Sequence, residues 1–242
     1  MEKKNSIETL SIQQAIVLGA VLIGVAILGG AYMLRHSLAT GSGATTAIDT
    51  HAGTPISQID IKNVNTEGEP FIGSDTAAVV IAYWSDYQCP TCKTFESTTL
   101  GTIIEKYVAT GKVAVLFKDY ATFGDDSLTA AVYARAVWNT HPNQYFAWRT
   151  AMIAAQDKVN QGFGNAESIE KLTATVAGID VAKVHSSVAA NGAAYKTAIE
   201  ADLAEAGKLG VTGAPSFITG TTFFAGAVSY TELSGEIGRA HV

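Results

Sequence analysis

Residues 83–96 read YWSDYQCPTCKTFE, and this stretch decides which fold the sequence predicts. It holds both cysteines of the 242-residue chain, Cys89 and Cys92, with Pro90 and Thr91 between them. A structural disulfide usually stabilises a protein by closing a long loop, whereas a bond at this spacing would close almost none. The pair therefore indicates chemistry at sulfur rather than a structural cross-link.

The segments around the cysteine pair have the pattern of a βαβ unit. Residues 77–84, AAVVIAYW, form a continuous β-branched and aromatic run that is typical of a buried central strand. A helical pattern follows the cysteines and ends near Gly111, and residues 113–117, VAVLF, have the composition of a second buried strand. We therefore expect two parallel strands joined by a helix that begins at the cysteine pair.

A long block of the sequence has only helical patterns. Over residues 121–208, apolar side chains recur at helical spacing, and helix starts are expected at Ser127, Pro142, Ser168 and Asp180. This block separates the predicted parallel strands from the C-terminal part of the chain. The sequence thus predicts an α/β domain with an inserted helical region.

Strand patterns return after the helical block. Two short strands are expected on either side of Gly220, followed by a helix from Ser229. At the other end of the domain, residues 55–62, PISQIDIK, alternate between apolar and polar as an edge strand would. These segments extend the predicted sheet beyond the parallel pair.

Residues 15–34, AIVLGAVLIGVAILGGAYML, contain no charged side chain. A helix of about twenty residues spans about 30 Å, which matches the hydrocarbon core of a bilayer. We expect a single transmembrane anchor with residues 1–14 in the cytoplasm, because Lys3 and Lys4 precede the span. A cleaved signal peptide is the alternative, since SLA at positions 37–39 has the pattern of a cleavage site.

The polar composition of residues 35–54 predicts a flexible linker between this segment and a folded domain over residues 55–235. With either an anchor or a signal peptide, the domain is expected outside the cytoplasm. The final residues 236–242, EIGRAHV, can be back-translated into a run that resembles a common sequencing adapter. We therefore expect them not to belong to the natural protein.

The charge of the chain argues against one class of partner. There are 16 Lys and Arg residues against 22 Asp and Glu residues, which gives a formal net charge of −6. The sequence contains no basic block of the kind that binds phosphate backbones. We do not expect a nucleic-acid partner.

The position of the cysteines at a helix start suggests separate roles for them. A helix beginning at Cys89 would place its sulfur against unpaired backbone N–H groups and the positive end of the helix dipole. Both features stabilise a thiolate and lower the thiol pKa, and Pro90 suits the first helical turn. Cys89 is then the exposed nucleophile, and Cys92, which is less exposed, is the resolving thiol that attacks a mixed disulfide.

Three other uses of the cysteine pair are a zinc site, an iron–sulfur cluster and an inert structural disulfide. Zinc and iron–sulfur sites need about four protein ligands. The chain has only two cysteines, and His51, His141 and His185 show no ligand spacing. We expect no metal site, and the junction of strand and helix makes an inert disulfide the less favoured interpretation.

A proline follows the helical block in residues 213–217, GAPSF. A proline that opens a strand suits an edge position or a cis peptide bond. A cis bond between Ala214 and Pro215 would bring the backbone of Ala214 against the cysteine pair. An ordinary trans bond at the start of a strand is the alternative.

Several polar residues are candidates for tuning the thiols. Asp86 and Gln88 directly precede the pair, while Lys118 and Asp119 end a strand that points toward it. A nearby lysine would lower the pKa of Cys89, and a buried carboxylate would raise it. For Lys118 and Asp119, we favour a solvated surface pair over a tuning role.

The chain resembles the DsbA-like thiol–disulfide oxidoreductases of the thioredoxin-fold superfamily, in particular their membrane-anchored forms. The resemblance rests on GSDTAAVVIAYWSDYQCPTCKTFE at 73–96, VAVLFKDY at 113–120 and LGVTGAPSFITG at 209–220, with weaker support from the helical block. It covers about residues 55–235. It implies a thioredoxin fold with an inserted helical domain.

The resemblance also implies roles for individual residues. Cys89 and Cys92 match the active-site pair of the family, and Pro90–Thr91 matches the variable dipeptide between its members. Pro215 matches the cis-proline that faces the pair and binds substrate, and Ala214 stands where other members usually carry valine or threonine.

The function that the resemblance implies is that of an extracytoplasmic enzyme with a redox-active disulfide and no bound cofactor. As an oxidase, it would donate the Cys89–Cys92 disulfide to reduced exported proteins and be reoxidised by a membrane quinone-linked partner of the DsbB type. A reductase or isomerase in the same compartment, and a tethered peptide-binding or chaperone module, are the alternatives. We expect a monomer, because no separate dimerisation domain is visible.

Overall fold

The structure is a computed structural model that describes residues 59–240. The expected cytoplasmic segment 1–14, anchor 15–34 and linker 35–54 lie outside the described residues. Between residues 59 and 240, no helix is both long enough and apolar enough to cross a bilayer.

One five-stranded sheet forms the centre of the fold. Its strands are β1 (Phe71–Ile72), β2 (Val79–Ser85), β3 (Val113–Asp119), β4 (Ser216–Thr219) and β5 (Thr222–Ala225). Their order across the sheet is β1-β3-β2-β4-β5. Strand β2 pairs in parallel with β3, as the sequence predicts, and antiparallel with β4. The ends of β2 and β3 therefore meet at one edge of the sheet, from which the cysteine loop emerges.

The helices flank this sheet and fill the interval between β3 and β4. They are α1 (Pro90–Phe95), α2 (Gly101–Ile103), α3 (Asp125–Thr140), α4 (Tyr145–Ala155), α5 (Ala166–Thr173), α6 (Val181–Lys208) and α7 (Tyr230–Ala240). Two π-helical turns, Glu96–Leu100 and Ile104–Val108, continue the helical segment that α1 begins. Helices α3 to α6 form the helical insertion, in which α3 lies against α6.

The two faces of β2 are buried in different parts of the core. Tyr83 belongs to the core that includes α1, while Trp84 belongs to a second core on the opposite face. The ring of Tyr83 stacks on Phe217 of β4 with 4.8 Å between centroids, and Phe95 of α1 lies 4.5 Å from the same Phe217 ring. These contacts fix α1, and with it the cysteine pair, against the sheet.

The edge strand expected at residues 55–62 is wrong over its described part. Residues Ile61–Asn63 form a 3-10 turn, because the side chain of Asp60 accepts a hydrogen bond from the Lys62 N–H and caps it. The edge of the sheet is instead β1, which pairs antiparallel with β3 and which the sequence patterns did not reveal.

Two helix starts also differ from the predicted ones. Helix α3 begins at Asp125 after Gly124, whose φ of 102° favours glycine, and Ser127 lies inside the helix. Helix α5 is capped by Asn165, which accepts from the Ser168 N–H, so Ser168 is not the cap. Asp180 does cap α6, and Pro142 opens the 3-10 turn before α4, as expected.

Candidate active site

The cysteine pair lies at the first turn of α1. Cys89 is the N-cap residue with φ −81° and ψ 114°, and Pro90 occupies the first helical position. The Sγ of Cys89 accepts a hydrogen bond from the Cys92 N–H at 3.3 Å, in the manner of a capping side chain. Both cysteines are free thiols; the expected exposure of Cys89 is wrong, because Cys89 is only 2% exposed and Cys92 is fully buried.

The segment that follows the insertion brings a backbone carbonyl to Cys89. The Cys89 thiol donates a hydrogen bond to the carbonyl oxygen of Ala214 at 3.4 Å. The Ala214–Pro215 peptide bond is cis, so the sequence-based expectation of a cis-proline beside the cysteines is confirmed. Although Cys89 and Ala214 are far apart in sequence, they meet because β2 and β4 are neighbours in the sheet.

The environments of the two thiols push their pKa values in opposite directions. The Cys92 thiol and the backbone N–H groups of Cys92 and Thr91 donate to the Cys89 sulfur and lower the pKa of Cys89 to about 7, against an opposing effect of burial. Burial raises the pKa of Cys92 far above its usual range. Cys89 is therefore the thiol that ionises near neutral pH, and Cys92 stays protonated.

Asp86 fixes the loop that leads into the pair. One carboxylate oxygen accepts from the Gln88 N–H at 2.8 Å, while the other accepts from the backbone N–H groups of Thr122 and Phe123 and from the hydroxyl of Ser127. These donors satisfy a buried carboxylate and tie the end of β2 to the start of α3. The negative charge of Asp86 raises the pKa of Cys89 and so opposes the hydrogen bonds to the Cys89 sulfur, which lower it.

Gln88 is fully buried and binds a loop of the insertion rather than the thiols. Its side-chain amide donates to the carbonyl of Phe163 at 2.9 Å, and its amide oxygen accepts from the Asn160 N–H at 3.1 Å. A Cβ atom on Gly164 would lie 2.6 Å from the same amide nitrogen, which requires glycine there. Gln88 thus directly precedes the pair in the chain and binds residues 160–163 of the insertion.

The solvated surface pair that we favoured for Lys118 and Asp119 is wrong for Lys118, because its side chain is only 2% exposed. It alternates with Phe117 along β3 and belongs to the face of the sheet opposite α1. Its ammonium contacts carboxylates of Glu69, Asp202 and Glu205 at 3.2, 2.5 and 3.0 Å. Burial lowers the pKa of Lys118, but these carboxylates outweigh it and the pKa is raised. The ammonium contacts these carboxylates and the carbonyl of Asn65, and none of these contacts joins it to the cysteines or supports a tuning role.

Arg149 is a site residue that the sequence analysis missed. Its buried guanidinium donates to Glu96 at 2.5 Å, to the hydroxyl of Ser85 at 2.8 Å and to the hydroxyl of Tyr87 at 3.1 Å. A signal was present, because position 149 follows Tyr145 by four residues and belongs to the apolar stripe of α4. A charged residue in such a stripe indicates a buried partner.

Residues 59–240 contain no group of three or more His, Cys, Asp or Glu side chains arranged to hold a metal ion. A family profile described as Thioredoxin matches residues 65–238. The chain belongs to the thioredoxin family.

Among its relatives, this thioredoxin-family chain is similar to disulfide bond formation proteins of bacilli. It is 28% identical to disulfide bond formation protein D of Bacillus subtilis over 95 residues, which are 39% of this chain and 43% of the relative. It is 27% identical to the probable disulfide bond formation protein D of Bacillus anthracis over 150 residues, which are 60% of this chain and 66% of the relative. The chain thus spans less than two thirds of either protein.

Solved structures support the same fold. BdbD of Bacillus subtilis in its oxidised form matches with a TM-score of 0.68 at 20% identity, over 78% of this chain and 99% of that one. The thiol-disulfide exchange protein alpha-DsbA2 of Wolbachia pipientis matches with a TM-score of 0.64 at 25% identity, over 74% of this chain and 90% of that one. The expected thioredoxin-like fold with a helical insertion is confirmed.

Proposed function

We propose that this protein is a thiol–disulfide oxidoreductase in which Cys89 is the nucleophile and Cys92 the resolving thiol. The observation that carries the proposal is the hydrogen bond from the Cys92 N–H to the Cys89 sulfur at the start of α1. It stabilises a thiolate on one sulfur only, while burial keeps the other protonated. The carbonyl of Ala214, beside Pro215, is placed to receive an extended substrate backbone next to the reacting sulfur.

The exchange in the oxidising direction has two steps. A substrate thiolate attacks the Cys89 sulfur of the Cys89–Cys92 disulfide; a bond to Cys89 forms, the bond within the pair breaks, and Cys92 leaves and takes up a proton. A second substrate thiolate then attacks the substrate sulfur and releases Cys89 as a thiolate. The substrate loses two electrons to the pair and gains a disulfide, and its second proton goes to Cys89 or to solvent.

The oxidase direction is supported by the relatives, which are named disulfide bond formation proteins. Stabilising the Cys89 thiolate favours the reduced pair and makes its disulfide more oxidising. The second candidate is a reductase or isomerase in the same compartment, and one observation favours it. A Cys89 pKa of about 7 is close to the value of about 7 for thioredoxin rather than the value of about 3.5 for DsbA.

We further propose that the enzyme works outside the cytoplasm as a monomer on reduced exported proteins. Residues 15–34 would anchor it, and residues 55–235 would form its catalytic domain with the insertion over about 121–208. A membrane quinone-linked protein of the DsbB type would restore the disulfide. The apolar anchor sequence and the disulfide bond formation relatives support this arrangement.

The reduction potential of the full-length chain tests both candidates. The protein is equilibrated with a series of glutathione redox buffers, and free thiols are trapped and counted by mass spectrometry. A potential well above the glutaredoxin range of about −200 to −230 mV is expected for the oxidase. A potential near the thioredoxin value of about −270 mV would overturn it in favour of the reductase.

A further inference from the structure

The helical insertion makes direct contact with the backbone of the redox-active loop through one side chain. Gln156 directly follows α4 and is only 6% exposed. Its side-chain amide donates to the carbonyl of Tyr87 at 2.7 Å and to the carbonyl of Cys89 at 3.1 Å. One amide group therefore holds two carbonyls of the segment that ends in the nucleophile.

Helix α1 in turn donates hydrogen bonds to the end of α4. The ammonium of Lys93 in α1 donates to the carbonyl of Ala154 at 3.0 Å and to the carbonyl of Gln156 at 2.7 Å. These carbonyls belong to the end of α4, where helical carbonyls lack partners within their own helix. We call the reciprocal contact of Gln156 and Lys93 the α1–α4 clamp.

The clamp acts at the residue whose geometry defines the thiolate site. The carbonyl of Cys89 also accepts from the Lys93 N–H at 3.1 Å, which is the first backbone hydrogen bond of α1. Because Cys89 is the N-cap, the orientation of its peptide group determines where its Sγ lies relative to the Cys92 N–H. A donor that holds this carbonyl restricts rotation about the backbone of Cys89.

We propose that Gln156 is a positioning residue for Cys89, which fixes the N-cap conformation in which the Cys89 sulfur receives the Cys92 N–H. This role rests on the proposed function, since it concerns the same cysteine pair. The insertion then contributes to the redox chemistry through the α1–α4 clamp. The Gln156 amide also presents its positive end toward the Cys89 carbonyl, which favours negative charge on the nearby sulfur.

The test replaces Gln156 by Met, which has a similar length and no donor. The equilibrium constant of the full-length protein with glutathione is measured together with the pH dependence of Cys89 alkylation. A purely structural role would destabilise the oxidised and reduced proteins equally and leave this constant unchanged. Losing one positioning hydrogen bond is expected to make the disulfide about three- to tenfold less oxidising, and tenfold corresponds to about 30 mV for two electrons.

Gln144→Met is the matched control, because Gln144 caps the other end of α4 without a side-chain hydrogen bond to the helix. Gln156→Asn keeps an amide on a shorter side chain and is expected to shift the equilibrium constant less than Gln156→Met does. If the Met variant does not fold, the Asn variant is measured in its place. Equal constants for the wild type, the control and the folded Gln156 variants would overturn the positioning role. If the wild type itself shows no reversible titration, the proposed function fails instead.

Discussion

Arg149 of α4 and Glu96, which lies one turn beyond Cys92, form a buried ion pair across the boundary between the insertion and the catalytic helix. The guanidinium and carboxylate are 2.5 Å apart, and the side chains are 2% and 6% exposed. The guanidinium also lies over the ring of Phe117 at 4.3 Å from its centroid. The insertion is thus joined to the catalytic helix by a fully desolvated charge contact.

Arg149→Met is expected to destabilise the protein by about 3–5 kcal/mol, because it leaves Glu96 buried without its cation. Urea unfolding of the reduced protein measures the change. Lys171→Met is the control, since Lys171 pairs with Glu167 on the exposed surface of α5 and its loss is expected to have no measurable effect. Equal unfolding midpoints for the two variants would show that the buried pair does not stabilise the fold.

The reactivity of Cys89 is expected to rise with pH through about 7, where its thiol ionises. Alkylation by iodoacetamide, followed by peptide mass spectrometry, should label Cys89 and leave Cys92 unmodified in the folded protein. Because folding depresses the Cys89 pKa below its usual value of about 8.5, the thiolate stabilises the reduced protein above that value. This stabilisation is lost as pH falls through about 7. A Cys89 alkylation profile centred near the usual thiol pKa would contradict the assignment.

Separate roles for the two cysteines predict different products from their serine variants. Cys92→Ser is expected to accumulate a mixed disulfide with a substrate protein that carries a disulfide, because the Cys89 thiolate displaces one substrate sulfur as a thiol and the resolving thiol that would release the adduct is missing. Cys89→Ser is expected to form none, since burial raises the pKa of Cys92 far above its usual range and keeps its thiol protonated. Non-reducing electrophoresis distinguishes the adducts. Equal trapping by both variants would rule out an assignment of the nucleophile to Cys89.

The buried charges on the far face of the sheet predict a pH dependence of stability. Burial and repulsion from Asp202 raise the pKa of Glu69 to about 7, although Arg135 and Lys118 oppose the shift. Because the pKa of Glu69 is higher in the folded protein than in the unfolded one, protonation of Glu69 stabilises the fold. This contribution is complete below the usual pKa of glutamate and is lost as pH rises through about 7.

The free energy of unfolding of the wild type is expected to fall between about pH 4.5 and 7, and Glu69→Gln is expected to make this fall smaller by about 1–3 kcal/mol. Denaturant unfolding across this range measures the slope. Glu67→Gln at an exposed neighbouring position should leave it unchanged. The pKa of Asp119 is raised to about 6, mainly by burial, so some slope should persist in the Glu69 variant. An unaltered slope in Glu69→Gln would assign the pH dependence to other groups.

The sequence alone determined those features of this protein that depend on residues close together in the chain. The strand before Cys89, the helix start at Pro90 and the lowered pKa of Cys89 follow from residue types at short spacing. Pro215 was predicted as a cis-proline facing the pair, with help from the family resemblance, and the structure places Ala214 there. Such features depend on propensity, capping and turn geometry within a few residues.

Only the tertiary structure decided which charged and amide groups surround the pair. Lys118 has the same sequence neighbours whether it faces Cys89 or the opposite side of the sheet, and its carboxylate partner Asp202 lies 84 positions away. Gln156 and Arg149 reach the catalytic loop because the insertion folds back onto α1. Partners of buried polar groups are selected by desolvation once the chain has packed, and that selection leaves no pattern at short sequence spacing.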